Sequence, residues 1–74
     1  MTWRLTKQHL RIMALVAMGM TNEEIAQTLG ITHRTVQTHL TTIFGRLGVK
    51  SRVQALSTLG WVTIPEQYLE DFNG

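Results

Sequence analysis

A hydroxyl residue able to start a helix, followed two to four turns later by a glycine able to stop it, recurs along this 74-residue chain. Thr6 and Gly19 bracket a first segment in which Leu10, Met13, Ala14 and Ala17 recur at helical spacing, with Ile12 and Val16 widening the stripe and Leu5 and Leu10 placed as a staple. Thr21 and Glu24 form a capping box, Met20 and Ile25 the matching staple, and Ile25, Ala26 and Leu29 one apolar face before Gly30 ends the segment. After Thr32 a longer segment carries Val36, Leu40, Ile43 and Leu47 inward, spaced four, three and four apart, and Gly48 closes it. Gly45 inside that segment costs about 1 kcal/mol of helix propensity, which the stripe outweighs. Ser51 opens a fourth segment with Gln54 completing a second box; Val53, Leu56 and either Ala55 or Leu59 are expected to face inward.

Four helices in so short a chain leave room for one thin core. Surface scaling puts the buried fraction at about 62%, too little for a second domain or a deep catalytic pocket. There is no cysteine, so neither a disulfide nor a thiolate metal site is available. No apolar run approaches the length of a membrane helix, the longest being Ile12 to Met18, and the expected residence is cytoplasmic. The division expected is a helical domain over residues 1–60 and an acidic tail over 61–74. Residues 1–3 and the last few are expected to be mobile.

Charge follows the same division. All seven basic side chains lie in residues 1–60 against only Glu23 and Glu24, a net of +5, whereas Glu66, Glu70 and Asp71 give the tail −3. A basic body suits a polyanionic partner; an ordinary solvated surface is the alternative. Two further features favour the first reading. Segments 22–29 and 33–47 are joined by Gly30-Ile31-Thr32, the short glycine-containing link of a helix-turn-helix. Opposite the apolar stripe of 33–47 lie His33, Arg34, Gln37, Thr38, Thr41 and Thr42, compact or basic with no acid among them. A helix entering the DNA major groove needs such a face, since a carboxylate there would meet phosphates.

At this point the chain resembles the DNA-binding output domain of the LuxR/GerE family of bacterial transcription regulators. The matching residues are Leu5-Thr6, then Gly19 through Ala26 with Leu29, then Ile31-Thr32, Thr35-Val36, His39, Ile43, Leu47-Gly48-Val49 and Ser51-Arg52 through Ala55. The resemblance implies an all-α, four-helix helix-turn-helix fold with 22–29 as scaffold helix and 33–47 as recognition helix. It also implies a two-fold dimer contact through residues 51–60, and DNA binding without chemistry. Where the family usually carries Arg-Glu, one residue, then Glu in its first helix, this chain reads Gln8, His9 and Arg11. Gln37 and Arg46 replace frequent lysines.

Candidate roles follow residue by residue. Arg34 is the first choice for reading a base, as a bidentate donor to guanine; a phosphate contact or a solvent-facing position is the alternative. Gln37 can read adenine or only help position the duplex, and Thr38 and Thr41 are short enough to touch thymine methyls or are simply exposed. Thr35 and His39 are placed on the phosphate backbone, His39 alternatively in a half-buried packing role. Lys50 and Arg52 are candidate clamps on the duplex backbone, with His33 and Arg46 added to that set. Val53, Leu56, Ser57 and Leu59 are the candidate dimer contacts.

Trp61, Val62 and Phe72 are candidates to cover the fourth helix, and the acidic tail is a candidate for binding a protein. No cofactor or metal is expected: His33 and His39, six apart, point about 120° away from each other on a helix. A different class of function, a protein-interaction module on a helix-turn-helix scaffold that sequesters another regulator, is the rival reading. Whether the chain is free-standing or an excised output domain stays open.

Overall fold

Thr6, Thr21, Thr32 and Ser51 take extended backbone, and the hydroxyl of each accepts the amide N–H three residues on, from His9, Glu24, Thr35 and Gln54. Each such cap satisfies an amide that helix geometry leaves unpaired and contributes about 1 kcal/mol. Four helices follow: α1 (Lys7–Ala17), α2 (Asn22–Leu29), α3 (His33–Leu47) and α4 (Arg52–Leu59). The computed structural model describes residues 4–61, among which there is no strand. The all-α, four-helix expectation holds. The expectations for residues 1–3 and for Val62, Phe72 and the acidic tail lie outside the described residues.

The four helices also end alike. Gly30, at φ 68°, turns the chain into the left-handed region where a side chain would be strained. The next amide, Ile31, then bonds back to the Ala26 carbonyl at 3.0 Å. The same five-residue closure joins Met20 to Leu15, Val49 to Phe44 and Trp61 to Leu56. In every case the apolar residue after the glycine packs against the core. The stop signal therefore both ends a helix and aims the next one.

Packing makes α1 and α3 the hubs, each approaching all the other helices, while α2 and α4 have no close backbone approach. Ile12, Met13, Ala14 and Leu15 in α1 are wholly buried, with Val16 nearly so. A run of five buried residues leaves no solvent face over the middle of α1, so the helix is enclosed on all sides. From α3 come Val36, Leu40, Ile43 and Leu47, from α2 Ile25 and Ala26, and from α4 Ala55. Burying a side chain the size of Ile43 or Leu15 stabilises the fold by about 1.5–3 kcal/mol.

Two expectations for α4 need correction. Ala55 is the buried residue, Leu56 and Leu59 are half-buried, and Val53 is 77% exposed instead of inward. At 100° per residue, Arg52, Leu56 and Leu59 fall within about 100° of Ala55, whereas Val53 falls about 160° away. The capping box at Ser51 is only half formed. Its hydroxyl takes the Gln54 amide, but the Gln54 side-chain Oε1 accepts from the Lys50 amide at 2.8 Å, one residue further back.

Candidate nucleic-acid interface

The α2–turn–α3 unit sets two stripes of α3 against each other. Val36, Leu40, Ile43 and Leu47 lock the inner side into the core, which turns His33, Arg34, Gln37, Thr38 and Thr41 outward, all exposed. Arg34, Gln37, Thr38 and Thr41 stand at i, i+3, i+4 and i+7, so they line one strip of surface. Arg34 makes no side-chain hydrogen bond within the described residues.

The threonines of this strip are already engaged. The Thr38 hydroxyl donates to the Arg34 carbonyl at 3.0 Å, Thr41 to Gln37 at 2.9 Å and Thr42 to Thr38 at 3.1 Å. With the hydroxyl proton spent on the helix, each keeps two lone pairs and a methyl group as its free chemistry. These threonines offer apolar contact to a thymine methyl and little hydrogen-bond donation, which is left to Arg34 and Gln37.

At the start of α3, Thr35 is half-buried with its hydroxyl 2.8 Å from that of the Thr32 cap. Further along, His39 is half-buried, its ring packed edge-on against His9 with centroids 5.5 Å apart. Arg46 is exposed and donates to the Arg4 carbonyl, tying the end of α3 to the segment before α1. Lys50 is exposed at the start of α4.

Arg52 is turned inward. Its guanidinium donates to the Met20 carbonyl at 3.0 Å and to the Asn22 side-chain oxygen, bridging α4 to the entrance of α2. This clasp spans two helices that have no close backbone approach to each other. An open groove of about 390 Å³ runs beside it, lined by Asn22, Gln37, Leu40, Thr41, Phe44 and Arg52. Asn22 and Phe44 were missed in the sequence; only the alignment of their helices brings them to this groove. Of the dimer candidates, Val53 and Ser57 are exposed, and with Gly48, Val49, Gln54 and Thr58 they line a second groove of about 400 Å³ on the outer side of α4. Leu56 and Leu59 are partly taken up by the core.

Electrostatically the surface is one-sided. Both carboxylates of the described residues, Glu23 and Glu24, sit in the first turn of α2, where they complement the helix dipole. The Glu24 carboxylate accepts the Thr21 amide at 2.9 Å. That backbone bond, and next the side-chain contact with Thr21, hold its pKa below the ordinary carboxylate range. No group of three or more His, Asp or Glu among the described residues could hold a metal ion, and no described helix is long and apolar enough to cross a membrane.

The sequence is similar to those of known proteins. The model of the family described as bacterial regulatory proteins, luxR family, matches residues 4–59. The transcriptional regulatory protein LiaR of Bacillus subtilis is 51% identical over 51 residues, covering 69% of this chain and 24% of that protein. The response regulator protein VraR of Staphylococcus aureus is 42% identical over 52 residues, 70% of this chain and 25% of VraR. A putative HTH-type transcriptional regulator of Mycobacterium tuberculosis, Rv0890c, is 46% identical over 50 residues, 68% of this chain and 6% of its own length. The chain thus spans at most about a quarter of these curated relatives. No solved structure matches it significantly. With the family model covering three-quarters of its residues and all four helices, the chain belongs to the luxR family of bacterial regulatory proteins.

Proposed function

We propose that this chain is a sequence-specific DNA-binding regulator of transcription that docks as a homodimer, with the outer strip of α3 in the major groove. The observation that carries this reading is the outward, acid-free strip itself, held rigid by the buried stripe on the other side of the same helix. Arg34 reads a guanine, Gln37 an adenine edge, and Thr38 and Thr41 present methyl groups to thymine. His33, Thr35, His39 and Lys50 meet the phosphate backbone, which fixes register and supplies the salt-dependent part of the affinity. Arg46 adds to the positive field from the far end of α3. Arg52 contributes chiefly by clasping α2, so its part is to position the helix-turn-helix, and any phosphate contact is secondary.

Dimer contact runs along the outer side of α4 through Val53 and Ser57, edged by Leu56 and Leu59. A large apolar residue as exposed as Val53 supports that assignment. On this reading the protein works in the bacterial cytoplasm on the nucleoid. The names of LiaR, a transcriptional regulatory protein, and Rv0890c, a putative HTH-type transcriptional regulator, support regulation of transcription as its role.

Selection of bound sites from a random duplex pool, followed by titration at two salt concentrations, tests the reading. An enriched motif repeated as two half-sites, with affinity falling steeply as salt rises, is expected. Recovery of no motif, together with no binding at low salt, would refute it.

A further inference from the structure

His9, the one buried polar residue among the described residues, has no part in the interface above. We propose that His9 is an acid-sensitive latch joining the start of α1 to α3, closed by the neutral imidazole and opened by its protonation.

Three observations on the same ring carry this. First, His9 occupies the third position of α1 and completes a reciprocal cap: the Thr6 hydroxyl accepts the His9 amide at 3.1 Å, and the Thr6 amide donates to His9 Nδ1 at 3.1 Å. Nδ1 must therefore carry a lone pair. An imidazolium carries a proton on both nitrogens and cannot accept, so protonation turns this half of the cap into an N–H facing an N–H.

Second, the ring is only 6% exposed and lies edge-on to His39 of α3, with the planes at 69°. The latch therefore touches the helix that bears the outer strip.

Third, among the described residues no carboxylate acts on the ring to receive a charge. Arg46 of α3 acts on the ring and is held by its bond to the Arg4 carbonyl. Arg4, Lys7 and Arg11 surround it in sequence, all cationic. The two carboxylates of the described residues, at the start of α2, are not among the groups that act on it. Burial foremost, then Arg46, then His39, push its pKa below the ordinary histidine value. A carboxylate in this position would cap the helix and gain from Arg46.

The direction of the pH effect follows from where the proton is held more tightly. The unfolded chain binds it near the ordinary value of about 6.5, and the folded chain only at lower pH. Stability is complete above that value and drains away as pH falls from it toward the folded value. Glu24 acts in the same direction but in a lower window, below the ordinary carboxylate range, so the two are separable.

The test is a pH titration of the whole 74-residue chain, following the imidazole proton resonances by NMR and the thermal midpoint in parallel. The three histidine signals are assigned by single His→Gln variants. The His9 resonance is expected to titrate below about 6.5. Between pH 7.5 and 5.5 the unsubstituted chain is expected to lose about fivefold in its folding constant, a fall of roughly 4–8 °C. His9→Gln, whose side-chain carbonyl can accept the Thr6 amide without titrating, is expected to lose less than half as much. His39→Gln is expected to move the His9 titration upward. A His9 midpoint at or above the ordinary value, or an undiminished pH slope in His9→Gln, would overturn the proposal. If His9→Gln does not fold, the resonance of His9 in the unsubstituted chain decides alone.

Discussion

α3 and α4 begin on the same kind of hydroxyl cap and end on the same left-handed glycine, yet their surfaces are divided differently. In α3 every large apolar residue of the inner stripe is buried and the opposite strip is polar, so one side belongs to the fold and the other is free for a partner. α4 is half as long and buries only Ala55 fully, with Leu56 and Leu59 sharing the edge and Val53 standing out in solvent. A polar outer strip suits a charged, hydrated surface such as DNA. A small outer apolar spot beside hydroxyls suits a second protein surface of its own kind. The contrast separates the two proposed contacts of one small domain, DNA on α3 and a second copy on α4.

Substitutions on the two helices can break or sharpen that contrast. The largest expected effect is on the inner side of α3. Ile43→Ala should cost about 2–5 kcal/mol in urea unfolding, a loss comparable with the whole stability of so small a domain. On the outer side, Arg34→Ala should leave the unfolding free energy within about 0.5 kcal/mol while erasing about 1–3 kcal/mol of discrimination at one base pair, read by competition between matched and mismatched duplexes. If that variant instead unfolded easily, the strip would belong to the fold after all.

On α4, Val53→Lys should barely change monomer stability but shift sedimentation toward monomer and weaken binding to paired half-sites more than to a single one. Gly45→Ala should raise stability by about 0.5–1 kcal/mol, since the glycine lies inside α3 and an added methyl group would meet nothing within 4 Å. The smallest effect is expected at Lys50. Its replacement by alanine should weaken all duplexes alike and reduce the slope of log affinity against log salt by about 0.9.

Much of the fold was legible because helix boundaries are written locally. Thr21 with Glu24, and Gly30 with Ile31, state a start and a stop within a few residues, and the structure realises them bond for bond. The inner stripe of α3 was legible for the same reason, being a periodicity along one helix. Val53 was not. α4 has apolar residues at too many angles for periodicity to choose a face, and the choice is made by how Ala55 seats against the core.

Long-range partners were equally hidden. Arg52 reads as a surface cation until the fold brings Met20 and Asn22 beside it, thirty residues away in the chain. His9 reads as a lost acid at a family position, whereas the structure has it closing the α1 cap by the nitrogen it can offer. Sequence therefore displays the elements and their outward chemistry, while pairings that decide whether a cation is free or spoken for depend on the packed whole.

The central claim is that the outer strip of α3 meets the bases. Intermolecular NOE measurement on the complex with a selected duplex tests it most directly. The account predicts contacts from the methyl groups of Thr38 and Thr41 to thymine methyls in the major groove. A well-bound complex in which those methyls see only solvent, while contacts to DNA arise from another face of the domain, would contradict it.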